Sequence, residues 1–402
     1  MKHFTVDLRF LSTFVLVLLA IRSNAQTDSI ILKSMDSVNI SLLTCGPDDN
    51  VYSLYGHTAI RYHDIGRDQD LVINYGMFSF QKRFFVVRFV FGLTDYEMGI
   101  DELPTFVSNY AARGRWVCEQ QLNLTREEKW AITQAIDVNY RPENKVYRYN
   151  YFYDNCTTRA RDMITRHIRG TVLYAENKSI TSSYRTMVHQ WTAGHVWARF
   201  GNDLLLGVKA DRKTNKAQQQ FLPDTLRRDF EQAIVVDRQG KQRKLVDTTF
   251  YLVAPVASTA QAAHPITPTH CALVLLATTL FVCLAERKTG RILWGYDAVL
   301  MLCTGLAGII LLAMVFSQHP TVRLNFQILL LSPLSLAFLY PCIKQLRKHK
   351  IHPYIKLWHA LLCLFLGLSF FQHYAEGMMI VALSLLIRHS WLMLFTSKLN
   401  KR

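Results

Sequence analysis

After about residue 265 the chain becomes five apolar runs, about His270–Ala285, Leu293–Phe316, Phe326–Ile343, Tyr354–Phe371 and Met378–Phe395. Each approaches the roughly 20 residues a helix needs to cross a bilayer, although the first and fourth are short and Arg388 and His389 interrupt the last. The charges between the runs are uneven. Arg287, Lys288 and Arg291 follow the first run, and Lys344, Arg347, Lys348 and Lys350 follow the third. The loops after the second and fourth hold only Arg323, and Lys398, Lys401 and Arg402 close the chain. By the positive-inside rule the basic loops and the C-terminus face the cytoplasm, which puts the start of the first run outside.

The N-terminus agrees. Lys2, His3 and Arg9 precede the apolar run Phe10–Ile21, and Ser23-Asn24-Ala25 ends it with small residues where cleavage requires them. Residues 1–25 therefore read as a secretory signal peptide, an uncleaved anchor being the alternative. The expected division is an exported domain over 26–256, an Ala/Pro/Thr linker over 257–269 and a membrane domain over 270–402. The net charge of +16 does not point to nucleic acid, because the basic residues neither cluster with stacking aromatics nor follow a nucleic-acid motif. It reads as membrane topology plus affinity for an anionic lipid surface.

Within the exported part, strands and helices mix. Ile30–Thr44 suggests a strand or two leading to the loop Cys45–Asn50, and Tyr55–Tyr62, YGHTAIRY, reads as a strand with Tyr55, His57, Ala59 and Arg61 on one face. A polar turn near Gly66 and the returning strand Leu71–Tyr75 complete a hairpin, which places His57 opposite the Asn74–Gly76 region. Phe84–Leu93, FFVVRFVFGL, reads first as a core strand or helix, and otherwise as an apolar wall near a site or at the membrane surface. Trp116–Leu124 is a further strand. Thr125 and Glu128 form a capping box for a helix ending at Tyr140.

Tyr149–Arg169, YNYFYDNCTTRARDMITRHIR, carries the chemistry. Ala160, Met163, Ile164, His167 and Ile168 recur at helical spacing, Gly170 is a stop, and Asp154 or Asn155 caps the start. Cys156 then falls in the first turn, where unpaired N–H groups and the helix dipole favour a thiolate. The competing account is a buried or disulfide-bonded cysteine. Against it, the exported part holds only Cys45, Cys118 and Cys156, an odd number, so at least one thiol cannot pair within the domain. His57 is the candidate base, with His63 its competitor at the turn, and Asn74 is placed to orient the imidazole. Each has an ordinary alternative as a satisfied structural residue. Arg185 is a candidate for a phosphate or carboxylate, or a surface arginine. His189 and His195 are too far apart, with no acidic or cysteine partner nearby, to suggest a metal site, and no cofactor is expected. Asp297, Ser317, His319 and Asn325 read as interfacial anchors, and His319 and Asn325 as alternatives for seating a headgroup.

A histidine on an early strand with an Asn-Cys pair opening a later helix resembles the circularly permuted members of the NlpC/P60 superfamily, papain-like enzymes that include lecithin:retinol acyltransferase-like proteins. YGHTAIRY at 55–62, INYGMF at 73–78 and YFYDNCTTRARD at 151–162 resemble Lnb-type lipoprotein N-acyltransferases more closely. That resemblance implies an α+β, permuted papain-like periplasmic domain followed by an all-α bundle of about five transmembrane helices in the bacterial inner membrane. The activity it implies moves a fatty acyl chain from a membrane phospholipid, through a thioester on Cys156, to the α-amine of the N-terminal cysteine of a diacylated lipoprotein. His57 would move the protons, and the motifs leave the third residue open. Tyr55, Asn155, Arg159, Arg185, His319 and Asn325 are the candidate substrate-binding residues. A membrane-tethered cysteine hydrolase, acting on peptidoglycan or phospholipid, uses the same thiol and histidine and is the alternative. A noncatalytic lipid- or lipoprotein-binding module is a third.

Overall fold

The structure is a computed structural model that describes residues 29–50, 53–78, 83–175, 182–256 and 265–400. The expected signal peptide and most of the expected linker lie outside these residues. Ten strands are described: β1 (Val38–Cys45), β2 (His57–Asp64), β3 (Gln69–Met77), β4 (Asp95–Glu102), β5 (Val117–Leu122), β6 (Val146–Arg148), β7 (Thr171–Leu173), β8 (Ile234–Val236), β9 (Gln242–Lys244) and β10 (Val246–Val253). Eight helices accompany them: α1 (Phe85–Val90), α2 (Leu103–Ala111), α3 (Arg126–Tyr140), α4 (Cys156–Thr165), α5 (Tyr184–Trp191), α6 (Val196–Leu205), α7 (Lys216–Gln219) and α8 (Pro223–Gln232).

Seven strands form one antiparallel sheet in the order β10-β5-β1-β2-β3-β4-β6, and β7-β8-β9 form a small second one. The β-branched and leucine side chains of β1 are buried on both faces, which fixes it at the centre. Against one face, α3, α4 and α8 close a core of Ile40, Leu42, Ile60, Ile132, Ile164 and Phe230; against the other, Leu103 and Phe106 of α2 cover Leu43, Ala59 and Val72. The capping box of Thr125 and Glu128 starts α3 as the sequence predicts. Cys45 pairs with Val117 in the β1–β5 ladder, so Cys118, one residue on, points to the opposite face; the two thiols are free and separated by the sheet.

The apolar C-terminal region forms α9 (Pro268–Thr289), α10 (Trp294–Val315), the short helices α11 (Leu334–Ala337) and α12 (Leu339–Leu346), then α13 (Pro353–Leu368) and α14 (Met378–Leu399). Among the described residues three helices, α9, α10 and α14, are long and apolar enough to cross a bilayer, or four if the third run counts as one. That run is not the continuous helix the sequence suggests: it bends by 76° between 326–337 and 339–346. The fourth run gives α13, of 16 residues. Arg388, in the middle of α14, is wholly buried and bonds Glu286 of α9 and Asp297 of α10 at 2.6–2.8 Å. Asp297 is therefore an interior ion-pair partner and not the interfacial anchor expected of it.

The two regions are docked. Gly207 and Val208 donate backbone hydrogen bonds to Thr321 and Leu324, and the carbonyl of Leu204 accepts from Asn325 Nδ2 at 2.8 Å. Asp211 accepts from His373 Nδ1, and Arg199 pairs with Glu376. The extramembrane domain thus rests on the loops after the second and fourth apolar runs, the two with the fewest basic residues.

Candidate active site

The site is built where α4 starts against the ends of β2 and β3. Asn155 is its cap: its side-chain oxygen accepts from the N–H groups of Thr157 and Thr158 at 3.0 and 2.9 Å, and Thr158 Oγ1 accepts from the Asn155 N–H. The Asn155 amide also donates to the carbonyls of Tyr151 and Phe221, which binds the cap to the aromatic segment before it. Asn155 is thus a positioning residue, and its buried amide is spent on the fold. Cys156 follows at the first helical position.

On β2, Gly56 has φ +79, and a Cβ there would lie 2.5 Å from the Cys45 carbonyl oxygen, so glycine is required immediately before His57. His57 Nε2 lies 3.0 Å from Asn74 Oδ1, within the hairpin that pairs Ala59 with Asn74. That leaves Nδ1 for the thiol. Asn74 Nδ2 in turn donates to Asp101 Oδ2 on β4, which holds the amide with its oxygen toward the imidazole. Gly76, at φ +87 in an irregular stretch of the β3–β4 ladder, lets the backbone close on the helix start: a Cβ there would be 3.7 Å from that of Cys156, 3.9 Å from the Tyr96 ring and 4.0 Å from the Tyr147 hydroxyl.

Burial works against a thiolate at Cys156. The charge and hydrogen bond of His57, the Thr58 N–H and the Thr157 hydroxyl outweigh it, and the thiol is lowered from its ordinary 9.0 to about 7. Burial likewise works against the His57 imidazolium, but Cys156 and the Asn74 oxygen raise it above its ordinary 6.5. The two groups stabilise each other's charged forms. Around them Tyr96, Tyr147, Tyr149 and Tyr151 form an aromatic wall, with their phenols held protonated by burial. The Tyr147 hydroxyl is buried, with the Gly76 N–H beside its oxygen and no acceptor for its proton. No group of His, Cys, Asp and Glu suited to a metal ion occurs among the described residues.

Asp101 and Tyr147 are the members that sequence reasoning missed. Of the other residues read from the sequence, Arg159 lies beside Cys156 on α4, paired with Asp154 and stacked 3.5 Å over the Tyr147 ring. It also lines a cleft of about 520 Å³ with Asp162, Arg166 and His167. The remaining candidates are structural. Tyr55 accepts from Asn202 Nδ2 and packs on Tyr151. Arg185 is buried and divides its donors among Asp203, Asp211 and the Leu206 carbonyl. His63 pairs with Asn39 and Asp70 in the ladder, well away from Cys156. Asn325 caps the 3₁₀ turn at Phe326–Leu329 and bonds Leu204 and Gln372, and His319 is buried beside Phe89. Both hold the junction between domain and membrane helices, so neither is free to seat a headgroup.

Fold and site together define a membrane protein whose extramembrane α+β domain carries a thiol–imidazole pair at a helix start. Residues 29–190 match the family profile described as the Lnb N-terminal periplasmic domain, and residues 259–400 match the one described as the Lnb transmembrane domain. The chain belongs to the Lnb family, and its N-terminal domain is periplasmic. Comparison with curated proteins and with solved structures finds no match.

Proposed function

We propose that the protein is a lipoprotein N-acyltransferase of the bacterial inner membrane, with Cys156 as nucleophile, His57 as the proton-transfer residue, and Asn74 and Asp101 positioning the imidazole. The observation that carries the proposal is the relay Cys156–His57–Asn74–Asp101 at a capped helix start, in a domain hydrogen-bonded to the loops of the apolar helices. The Cys156 thiolate attacks an acyl ester carbonyl of a phospholipid. The C–S bond forms, the C–O bond to glycerol breaks, and His57 gives its proton to the departing lysophospholipid oxygen. The α-amine of a diacylated lipoprotein's N-terminal cysteine then attacks the thioester. His57 takes the amine proton, the amide forms, and the thiolate is regenerated.

The tetrahedral oxyanion needs donors. The Cys156 N–H at the start of α4 and the Tyr147 hydroxyl, whose proton has no acceptor in the protein, are the two we assign, Arg159 making the phenol a better donor through its charge over the ring. In this reading the extramembrane domain is a permuted papain-like unit over about 26–256 and the membrane domain has five spans, the bent third run and α13 each counting as one. The docking of the domain on the basic-poor loops supports an outward face there and a cytoplasmic C-terminus.

The test is mass spectrometry of lipoprotein N-termini in cells depleted of their own N-acyltransferase. Triacylated N-termini are expected with the wild-type chain and not with Cys156→Ser. Unchanged diacylated N-termini in both strains, with both proteins present in the membrane, would defeat the proposal and bring the hydrolase forward.

A further inference from the structure

Helix α1 carries an apolar surface that the described residues around it leave uncovered. Its sequence is FVVRFV, none of its residues is buried, and Phe84, Val86, Val87 and Phe89 are 64, 70, 54 and 39% exposed. In water such a face would be a liability, since these side chains gain nothing from a fold that leaves them outside. Position supplies the covering. The carbonyl of Phe91 accepts from the Gln318 N–H at 2.9 Å, and Gly92, at φ +66, packs on the backbone of Gln318 and His319 with no room for a side chain. Span α10 ends three residues before Gln318, and Phe316 between them is 71% exposed. The apolar band of the membrane helix therefore continues directly onto α1.

Behind the exposed face runs a row of rings. Phe89 faces His319 and Phe85; Phe85 stacks on Phe78 at 5.7 Å, Phe78 on Tyr96 at 4.9 Å, and Tyr96 on Tyr149 at 4.1 Å. Tyr96 borders Cys156 across Gly76. One end of the row thus lies beside His319, just past the end of α10, and the other is at the thiol.

We propose that α1 is the membrane-entry element of the site: its exposed face lies in the periplasmic leaflet beside Phe316, and the ring row behind it guides one phospholipid acyl chain to Cys156. The guiding role rests on the acyl-transfer reading; the membrane placement does not. Two measurements on the full-length protein in phospholipid vesicles separate them. In Val87→Trp the added indole fluorescence is expected to be quenched by lipids brominated on the acyl chain. In Ile65→Trp, on the far β2–β3 turn, it is expected to be quenched by aqueous acrylamide instead. If the position-87 indole behaves like the position-65 one, the placement is overturned. In Val86→Glu/Val87→Glu, acylation of Cys156 by vesicle phospholipid is expected to fall at least tenfold, while its acylation by p-nitrophenyl acetate stays within twofold. The milder Val86→Ser/Val87→Ser should shift the same ratio in the same direction. Equal use of phospholipid by variant and wild type would overturn the guiding role. A wild-type protein that accepts acetyl but no phospholipid acyl group would sink both the guiding role and the acyltransferase reading, and the quenching result would still place α1.

Discussion

At the scale of single residues, what distinguishes Cys156 from Cys45 is its company. Cys45 is buried and Cys156 half-buried, yet burial drives Cys45 up to about 12, whereas His57, Thr58 and Thr157 bring Cys156 down to about 7. Alkylation by iodoacetamide reads this directly, because only the thiolate reacts. The rate at Cys156 is expected to rise with pH and level off with a midpoint near 7. In His57→Ala the cation that favours the thiolate is gone, only the Thr58 N–H and the Thr157 hydroxyl still oppose burial, and the midpoint should move up; an unchanged midpoint would mean that His57 does not face the thiol. Tyr147→Phe tests the oxyanion assignment. The hydroxyl donates to no group in the protein and has only the Gly76 N–H beside it, so thermal stability should change little while kcat for acylation falls roughly 10²-fold, the usual effect of removing one oxyanion donor. His57, Asn74 and Cys156 were legible because a short hairpin fixes which residues face each other and a cap marks a helix start. Asp101 was not, since its pairing depends on β4 returning beside β3 after the aromatic insertion that holds α1. Arg185 read as a free cation because its partners, Asp203 and Asp211, arrive only when α6 and the following turn fold back over α5.

At the scale of elements, average hydropathy conceals where a run must break. Phe326–Ile343 is apolar overall, but Pro333 cannot continue a helix, and Gln327, Ser332 and Ser335 are buried polar groups that bond locally or across to neighbours. The result is a break between Leu329 and Leu334, ahead of the bend at Phe338, with Trp358 of α13 donating to the freed Leu330 carbonyl. Phe84–Leu93 has the pattern of a core segment, but its helix is not buried, and our proposal takes the other reading, an apolar wall at the membrane surface. Arg388 shows how α14 is tied to α9 and α10. Its guanidinium satisfies both Glu286 and Asp297, and Trp391 donates to Glu286 as well. Arg388→Met leaves two buried carboxylates facing one another and should destabilise the membrane domain by about 3–5 kcal/mol, the common cost of removing one partner from a buried pair. Thermal unfolding in detergent measures it, and the fraction that remains folded should still have a Cys156 alkylation midpoint near pH 7, because the ion cluster and the thiol lie in different domains.

At the scale of the whole molecule, the division into a polar exported part and an apolar remainder was plain from the sequence, while the junction between them was not. It is made by backbone groups of 204–208 against 321–325 and by the side chains of Asn325, which reads in sequence as an interfacial anchor, and Gln372, which gives no signal at all. Under our proposal this docking fixes the helix start of Cys156 relative to the membrane helices, which is what an enzyme with two lipid-anchored substrates requires and a soluble hydrolase does not. The central claim is that the acyl group passes through Cys156. The most direct measurement is intact-peptide mass spectrometry of the purified protein after incubation with phospholipid vesicles, first alone and then with a diacylated lipopeptide. Our account predicts one acyl group on the Cys156 peptide, labile to hydroxylamine, that disappears as the lipopeptide gains an amide-linked chain, and none of this in Cys156→Ser. An N-acylated lipopeptide formed by Cys156→Ser, or free fatty acid released by the wild type with no acylated amine, would contradict it.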